Sequence, residues 1–224
     1  MPTVLVIGAS RGIGLELVRQ YAADGARVIA THRQPDDGAR LRALGARPLA
    51  LDVLDAGALA GLGTQLEAEA LDFAIVNAGV YGARSTGLVA PAQDEFDAVM
   101  RTNVHAPMQL IALLGPRLAA TQGKLAVISS SMGSISRMTH ASGWLYRASK
   151  AALNSVLRAA SIELGPQGVT CMAFHPGWVR TDMGGADADL AVDESVASLR
   201  RVIQAANASH NGKFLNYNGE QIAW

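Results

Sequence analysis

The stretch "TVLVIGASRGIGLELVRQYAADG", residues 3–25, decides the fold. Residues 3–7 form an apolar, β-branched run of strand length, and residues 12–24 take up helical spacing. Between them lies a turn framed by Gly8, Gly12 and Gly14, with Ser10, Arg11 and Ile13 in the gaps. Glycines there allow a tight bend, close approach of backbone to a phosphate, and tight packing of helix on strand. The helix start then presents free N–H groups and a positive dipole end to an anion. A glycine cluster alone says little; one placed between the first strand and the first helix points to a nucleotide cofactor.

The pattern repeats outward from there. Strand-like runs follow at 26–30, 47–51, 72–76, 124–129, 169–174 and 213–217, separated by helix-length segments of which 12–24, 94–119 and 145–164 are the clearest. Continuous apolar strands alternating with helices predict a parallel sheet covered on both faces. Seven of them predict an α/β, Rossmann-type doubly wound fold, read here as one domain over residues 1–224. Ligands of such folds bind beyond the carboxyl ends of the strands, so functional residues should follow strands. The Gly- and Asp-containing segment 181–195 reads as a mobile loop beside that site.

Composition excludes several classes. Lys plus Arg and Asp plus Glu balance at 19 each, so no net field draws the chain to nucleic acid or an anionic membrane. No apolar run approaches a membrane span, and the N-terminus lacks the pattern of a secretory signal. The single cysteine, Cys171, lies in the apolar run "GVTCMAF" and reads as a buried, inert thiol; nothing near it has metal-ligand spacing. A cytoplasmic protein without a metal is the expectation.

The second strand runs into "ATHRQ", with Thr31, His32 and Arg33 and no acid before Asp36. An acid in this neighbourhood would bind the ribose 2′-hydroxyl of NAD and repel a 2′-phosphate, whereas a guanidinium can pair with the phosphate. Arg33, with Arg11 in the glycine turn, therefore favours NADP(H) over NAD(H).

In "WLYRASKAALN", residues 144–154, Tyr146 and Lys150 stand four apart and share a helix face. Alone, the pair could be a half-buried Tyr with a Lys one turn on. Joined to the glycine turn and to "NAG" at 77–79, the pair resembles the signature of the short-chain dehydrogenase/reductase family. The resemblance runs to "PGWVRTDM" at 176–183, and "ISSSMGSIS", "HPGWVRTDMGG" and "GKFLNYNGEQIAW" are similar to its small carbonyl reductases and C-factor-like proteins. One departure is Ile7, where the family usually carries a Thr whose hydroxyl can tie the turn.

The resemblance implies NADPH-dependent reduction of a small aldehyde or ketone, or the reverse oxidation of an alcohol. A free phenol has a pKa of about 10, and a nearby ammonium and the positive nicotinamide ring of NADP⁺ both favour its ionised form. Tyr146 is thus the expected proton donor and Lys150 the residue that tunes it and, by resemblance, holds the nicotinamide ribose. Ser129, Ser130 and Ser131 compete for the catalytic serine at the end of the fifth strand; the family pattern selects Ser130, with Ser131 second. The resemblance makes Asn103 the fourth catalytic residue, holding a water. Pro107 has no N–H to give the Asn103 carbonyl, which would leave that oxygen free. It also implies cofactor contacts at Asp52 and Val53 (adenine), Asn77, Ala78 and Gly79, the turn Pro176–Gly177, and Val179 and Thr181 (carboxamide). Trp144, Trp178 and Met183 are candidates for an apolar substrate wall. A homodimer or homotetramer through 94–119 and 145–164 is a further expectation, and a cofactor-binding signalling or sensor protein the alternative function.

Overall fold

The computed structural model describes residues 1–67, 69–84 and 87–224. Seven strands, β1 (Thr3–Ile7), β2 (Arg27–His32), β3 (Arg47–Ala50), β4 (Phe73–Val76), β5 (Lys124–Ile128), β6 (Thr170–His175) and β7 (Lys213–Asn216), form one sheet in the order β3-β2-β1-β4-β5-β6-β7. Every pairing is parallel. This is the expected doubly wound sheet, and its order reverses direction between β1 and β4. A crevice opens at such a reversal, at the carboxyl ends of the strands.

Alternation along the strands fills two apolar layers. Leu5 and Ile7 of β1 face α3 (Ala56–Gln65), α5 (Ala106–Thr121) and α6 (Trp144–Leu164), where Leu62, Leu114 and Leu157 are buried with them. Val4 and Val6 face α1 (Gly12–Ala23), α2 (Pro35–Ala43) and α7 (Val192–Ala205), against Leu17, Leu41 and Leu199. A strand buried on both faces has no polar side, which is why these runs are continuously apolar. Cys171 is buried in the first layer, and burial pushes its thiol up to about 12.

Three segments differ from the sequence expectation by more than a residue at an end. β2 continues to His32 because Thr31 and His32 pair with Leu49 and Ala50 of β3, which the apolar run alone could not show. The expected helix over 94–119 is α4 (Gln93–Met100), a π-turn at Arg101–His105, and then α5. Ala106 N–H reaches back five residues to the Arg101 carbonyl there, immediately before Pro107. A proline cannot supply the next α-helical bond, and the widened turn absorbs that loss. Within 181–195, the region beside Thr181 is stitched rather than loose: Leu190 N–H bonds the Trp178 carbonyl, Arg180 N–H bonds the Leu190 carbonyl, and α7 begins at Val192.

No helix among the described residues is long and apolar enough to cross a membrane. Phe214 on β7 is fully buried and stacks on Trp224 at a centroid separation of 5.4 Å. Phe214→Ala should therefore cost about 3–5 kcal/mol, measured as a lower urea midpoint with an unchanged slope.

Candidate active site

The glycine turn is held by its neighbours. Gly8 N–H donates to the Thr31 hydroxyl of β2 at 2.9 Å, and Ala9 N–H to the Thr31 carbonyl at 2.9 Å. From β4, the Asn77 amide donates to the Gly8 carbonyl at 2.7 Å. Thr31 thus supplies from the adjacent strand the hydroxyl that Ile7 lacks, a role the sequence reading did not assign. Gly8 and Gly14 are glycine because the chain is crowded: a Cβ on Gly8 would lie 2.8 Å from the Ala78 backbone, and one on Gly14 would lie 2.1 Å from the Gly8 carbonyl oxygen. α1 then begins with no side-chain cap on its N-terminus, leaving first-turn N–H groups facing the crevice for an anion.

One cleft runs along these strand ends. Its walls include Gly8, Ser10, Arg11, Gly12, Ile13, Arg33, Asp52, Val53, Asn77, Ala78, Gly79, Tyr146, Lys150, Pro176 and Thr181. Three expected contacts lie elsewhere. Gly14 packs helix against turn, as above. Gly177 turns away from the cleft with φ +88°, where a Cβ would meet Leu190 at 2.8 Å. Val179 is buried, and its carbonyl accepts from the Thr181 hydroxyl at 3.3 Å. Met183 lines the cleft, whereas Trp178 lines a separate pocket and Trp144 donates its indole N–H to the Val89 carbonyl at 3.1 Å.

Cations gather near the turn but are partly spent. Arg11 pairs with Asp182 at 2.8 Å on the surface, and Arg33 stands exposed at the cleft. α2 brings an acid that the sequence spacing concealed. Burial would raise the Asp37 carboxyl, but the Ser10 hydroxyl and the Arg40 guanidinium outweigh it and hold the group below its ordinary range.

At the other end of the cleft, α6 presents Tyr146 and Lys150 together, both almost wholly buried. Lys150 Nζ donates to the carbonyl of Ile128, the last residue of β5, at 2.9 Å, and burial pushes its pKa down to about 8. Tyr146 is pushed up to about 12, by burial first; Ser130 pulls it down and Tyr81 raises it further. Burial sets this sign, opposite to the lowering expected from the ammonium and the nicotinamide ring together; Lys150 Nζ stands 5.6 Å from the ring centroid.

The serines separate by direction. Ser130 acts on the Tyr146 phenol, Ser129 donates to Asn154 Oδ1 at 2.6 Å, and Ser131 lines the separate pocket. Asn103 is fully buried. Its side chain accepts from Val80 N–H at 2.9 Å and donates to the Val80 carbonyl at 2.8 Å and the Ser149 hydroxyl at 2.9 Å. Over Gly79, Asn103 Oδ1 and Lys150 Nζ converge: a Cβ on that glycine would be 3.3 and 3.4 Å from them. The donor set suits a dinucleotide, with backbone N–H groups and arginines at the turn and a buried phenol and ammonium at the far end. Among the described residues no cluster of His, Cys, Asp or Glu could hold a metal ion.

A family model described as short chain dehydrogenase matches residues 2–190. The chain belongs to that family. Among short-chain dehydrogenase relatives, C-signal of Myxococcus xanthus is 38% identical over 161 residues, 69% of this chain and 93% of its own. The carbonyl reductase Sniffer of D. melanogaster superposes with a TM-score of 0.93 at 29% identity, over 100% of both chains. An NADPH-bound carbonyl reductase from chicken fatty liver gives 0.90 at 33% identity, over 100% of this chain and 99% of its own. The chain is therefore an oxidoreductase of the carbonyl reductase type in fold and family.

Burying Lys150 has a testable cost. Its pKa is about 8 folded against 10.5 for the free side chain, so the unfolded chain binds the proton more tightly. The penalty is full below pH 8 and fades as pH rises to 10.5. Lys150→Met should be more stable than the parent at pH 7, by up to about 3 kcal/mol less the lost Ile128 bond, with the gain shrinking above pH 9. Urea unfolding at a series of pH values measures it.

Proposed function

We propose that this short-chain dehydrogenase reduces small aldehydes or ketones with NADPH, Tyr146 giving the proton to the carbonyl oxygen. The observation that carries the reading is the buried pair on α6: a phenol held protonated well above neutral pH, beside a buried lysine, at one end of a cleft whose other end is a glycine turn. Bound NADPH would supply the hydride. The chain's part is to orient the carbonyl and deliver a proton.

Ser130 and the Tyr146 phenol would both reach the substrate oxygen, and Tyr146 would release its proton as negative charge develops there. Lys150 holds the ribose and, as a cation, stabilises the phenolate left behind. Asn103, beside Lys150 Nζ over Gly79, would hold the water through which the proton is replaced. The glycine turn and the α1 N-terminus take the pyrophosphate. Asp52 and Val53 flank the adenine, and Pro176, Val179 and Thr181 the carboxamide. Arg11 and Arg33 would bind the 2′-phosphate. Asp37 works against that charge, but its pairing with Arg40 offsets it.

A signalling role without turnover is less well supported, since a cofactor sensor has no use for a protonated phenol beside the nicotinamide end. The same reading puts the protein in the cytoplasm, where its buried thiol stays reduced. It also allows pairing of two copies through the exposed Phe96, Met108 and Ile162 on α4, α5 and α6.

Two measurements test the reading. NADPH oxidation should be followed over a panel of aldehydes, ketones and quinones, with Tyr146→Phe in parallel. The variant should lose about 10²–10⁴-fold in kcat while binding NADPH as before. Undiminished turnover in Tyr146→Phe would remove the phenol from the mechanism. Arg33→Ala should weaken NADPH about tenfold, with NADH affinity unchanged, in a fluorescence titration; equal loss for both would assign Arg33 another task.

A further inference from the structure

Tyr81 lies two residues past the "NAG" strand end, and nothing in the family signature calls for an aromatic there. Its ring stacks on Tyr146 with centroids 4.5 Å apart and planes inclined by 25°. On Tyr81, in turn, the Arg84 guanidinium sits 5.4 Å from the ring centroid. Arg84 also donates to the Met183 carbonyl at 3.0 Å, which ties this stack to the segment after β6. The Tyr81 hydroxyl is seated against Gly143, the residue preceding α6. Gly143 has φ +66°, and a Cβ there would lie 2.4 Å from the Tyr81 oxygen. Glycine at 143 therefore serves both the left-handed backbone and the room for this phenol.

We propose that Tyr81 is a positioning residue for the proton donor: stacked against Tyr146, it fixes the plane of that ring and keeps water from that face. The inference rests on Tyr146 being the donor. An offset stack holds a ring more firmly than aliphatic packing does, and its geometry is specific. The clamp also has an electrostatic consequence. By excluding water, Tyr81 adds to the burial that raises the Tyr146 pKa and keeps the donor protonated.

The test combines three variants and two readouts. Tyr81→Ala removes ring, hydroxyl and cover, so Tyr146 should ionise at lower pH. The ultraviolet phenolate signal that vanishes in Tyr146→Phe should then emerge in Tyr81→Ala at a pH where the folded parent still shows none. In NADPH-dependent reduction, Tyr81→Ala should lower kcat about tenfold and move the alkaline limb of its pH profile to lower pH. Tyr81→Phe keeps the stack and should restore most of the kcat. If Tyr81→Ala leaves both the phenolate signal and the alkaline limb in place, the inference fails, while a dead Tyr146→Phe keeps the donor reading intact. Equal damage from Phe and Ala at position 81 would also overturn it, because the stack would then do nothing. If Tyr146→Phe remains active, the donor reading falls and this inference with it.

Discussion

The structure around the cleft depends on one constraint, the seating of the Lys150 ammonium away from water. Burial lowers its pKa, and among the described residues no carboxylate pairs with it. Its bond to the Ile128 carbonyl ends β5 at a fixed point, and Ser129 and Ser130 follow directly from that point. Gly133 is required because a Cβ there would press on the Lys150 backbone at 2.8 Å, and Gly79 leaves the space that Lys150 Nζ and Asn103 Oδ1 share. The ends of β4 and β5 and the first turns of α6 are thus shaped around one charge. A buried cation without a counter-ion is costly and is kept where chemistry uses it.

The same burial sets the two partners against each other. Desolvation disfavours the charged form of each, so the phenol rises to about 12 and the ammonium falls to about 8. The pair therefore rests as neutral Tyr146 beside protonated Lys150 at neutral pH. That is the arrangement of a donor and a supporting cation, suited to reduction. Acting as a base in the reverse direction would start from the phenolate, which the same cation would support.

The fold was legible because parallel strands carry an unbroken apolar signal and the first glycine turn falls between a strand and a helix. What remained hidden was contact across strands. Ile7 read as the loss of a tying hydroxyl, yet Thr31 of the neighbouring strand bonds the same turn, a substitution that only register reveals. Asp37 was invisible for a similar reason: counting along β2 finds no acid, and α2 folds one back to Ser10. The helix expected over 94–119 carries a π-turn before Pro107: sequence shows the missing N–H of the proline and not the turn that accommodates it. Tyr146 and Lys150 stood out only beside the glycine turn and the other family motifs, and spacing carries no information on their depth, which sets the sign of the shift on Tyr146.

The division between sheet and loops follows from these contacts. Most groups assigned to cofactor and proton sit just after strands, at the start of α1 and on α6, with Asn103 in the π-turn before α5. The segments around the cleft are tied by side chains to one another: Arg84 to the Met183 carbonyl, Trp144 at the start of α6 to the Val89 carbonyl, Trp178 to the Gly184 carbonyl. Each tie is a side chain on a backbone oxygen, so the walls keep their shape while the side chains between them are free to differ. The cleft's fixed end is therefore written in the sheet, and its variable walls in the cross-bonded segments, where short-range sequence patterns say least.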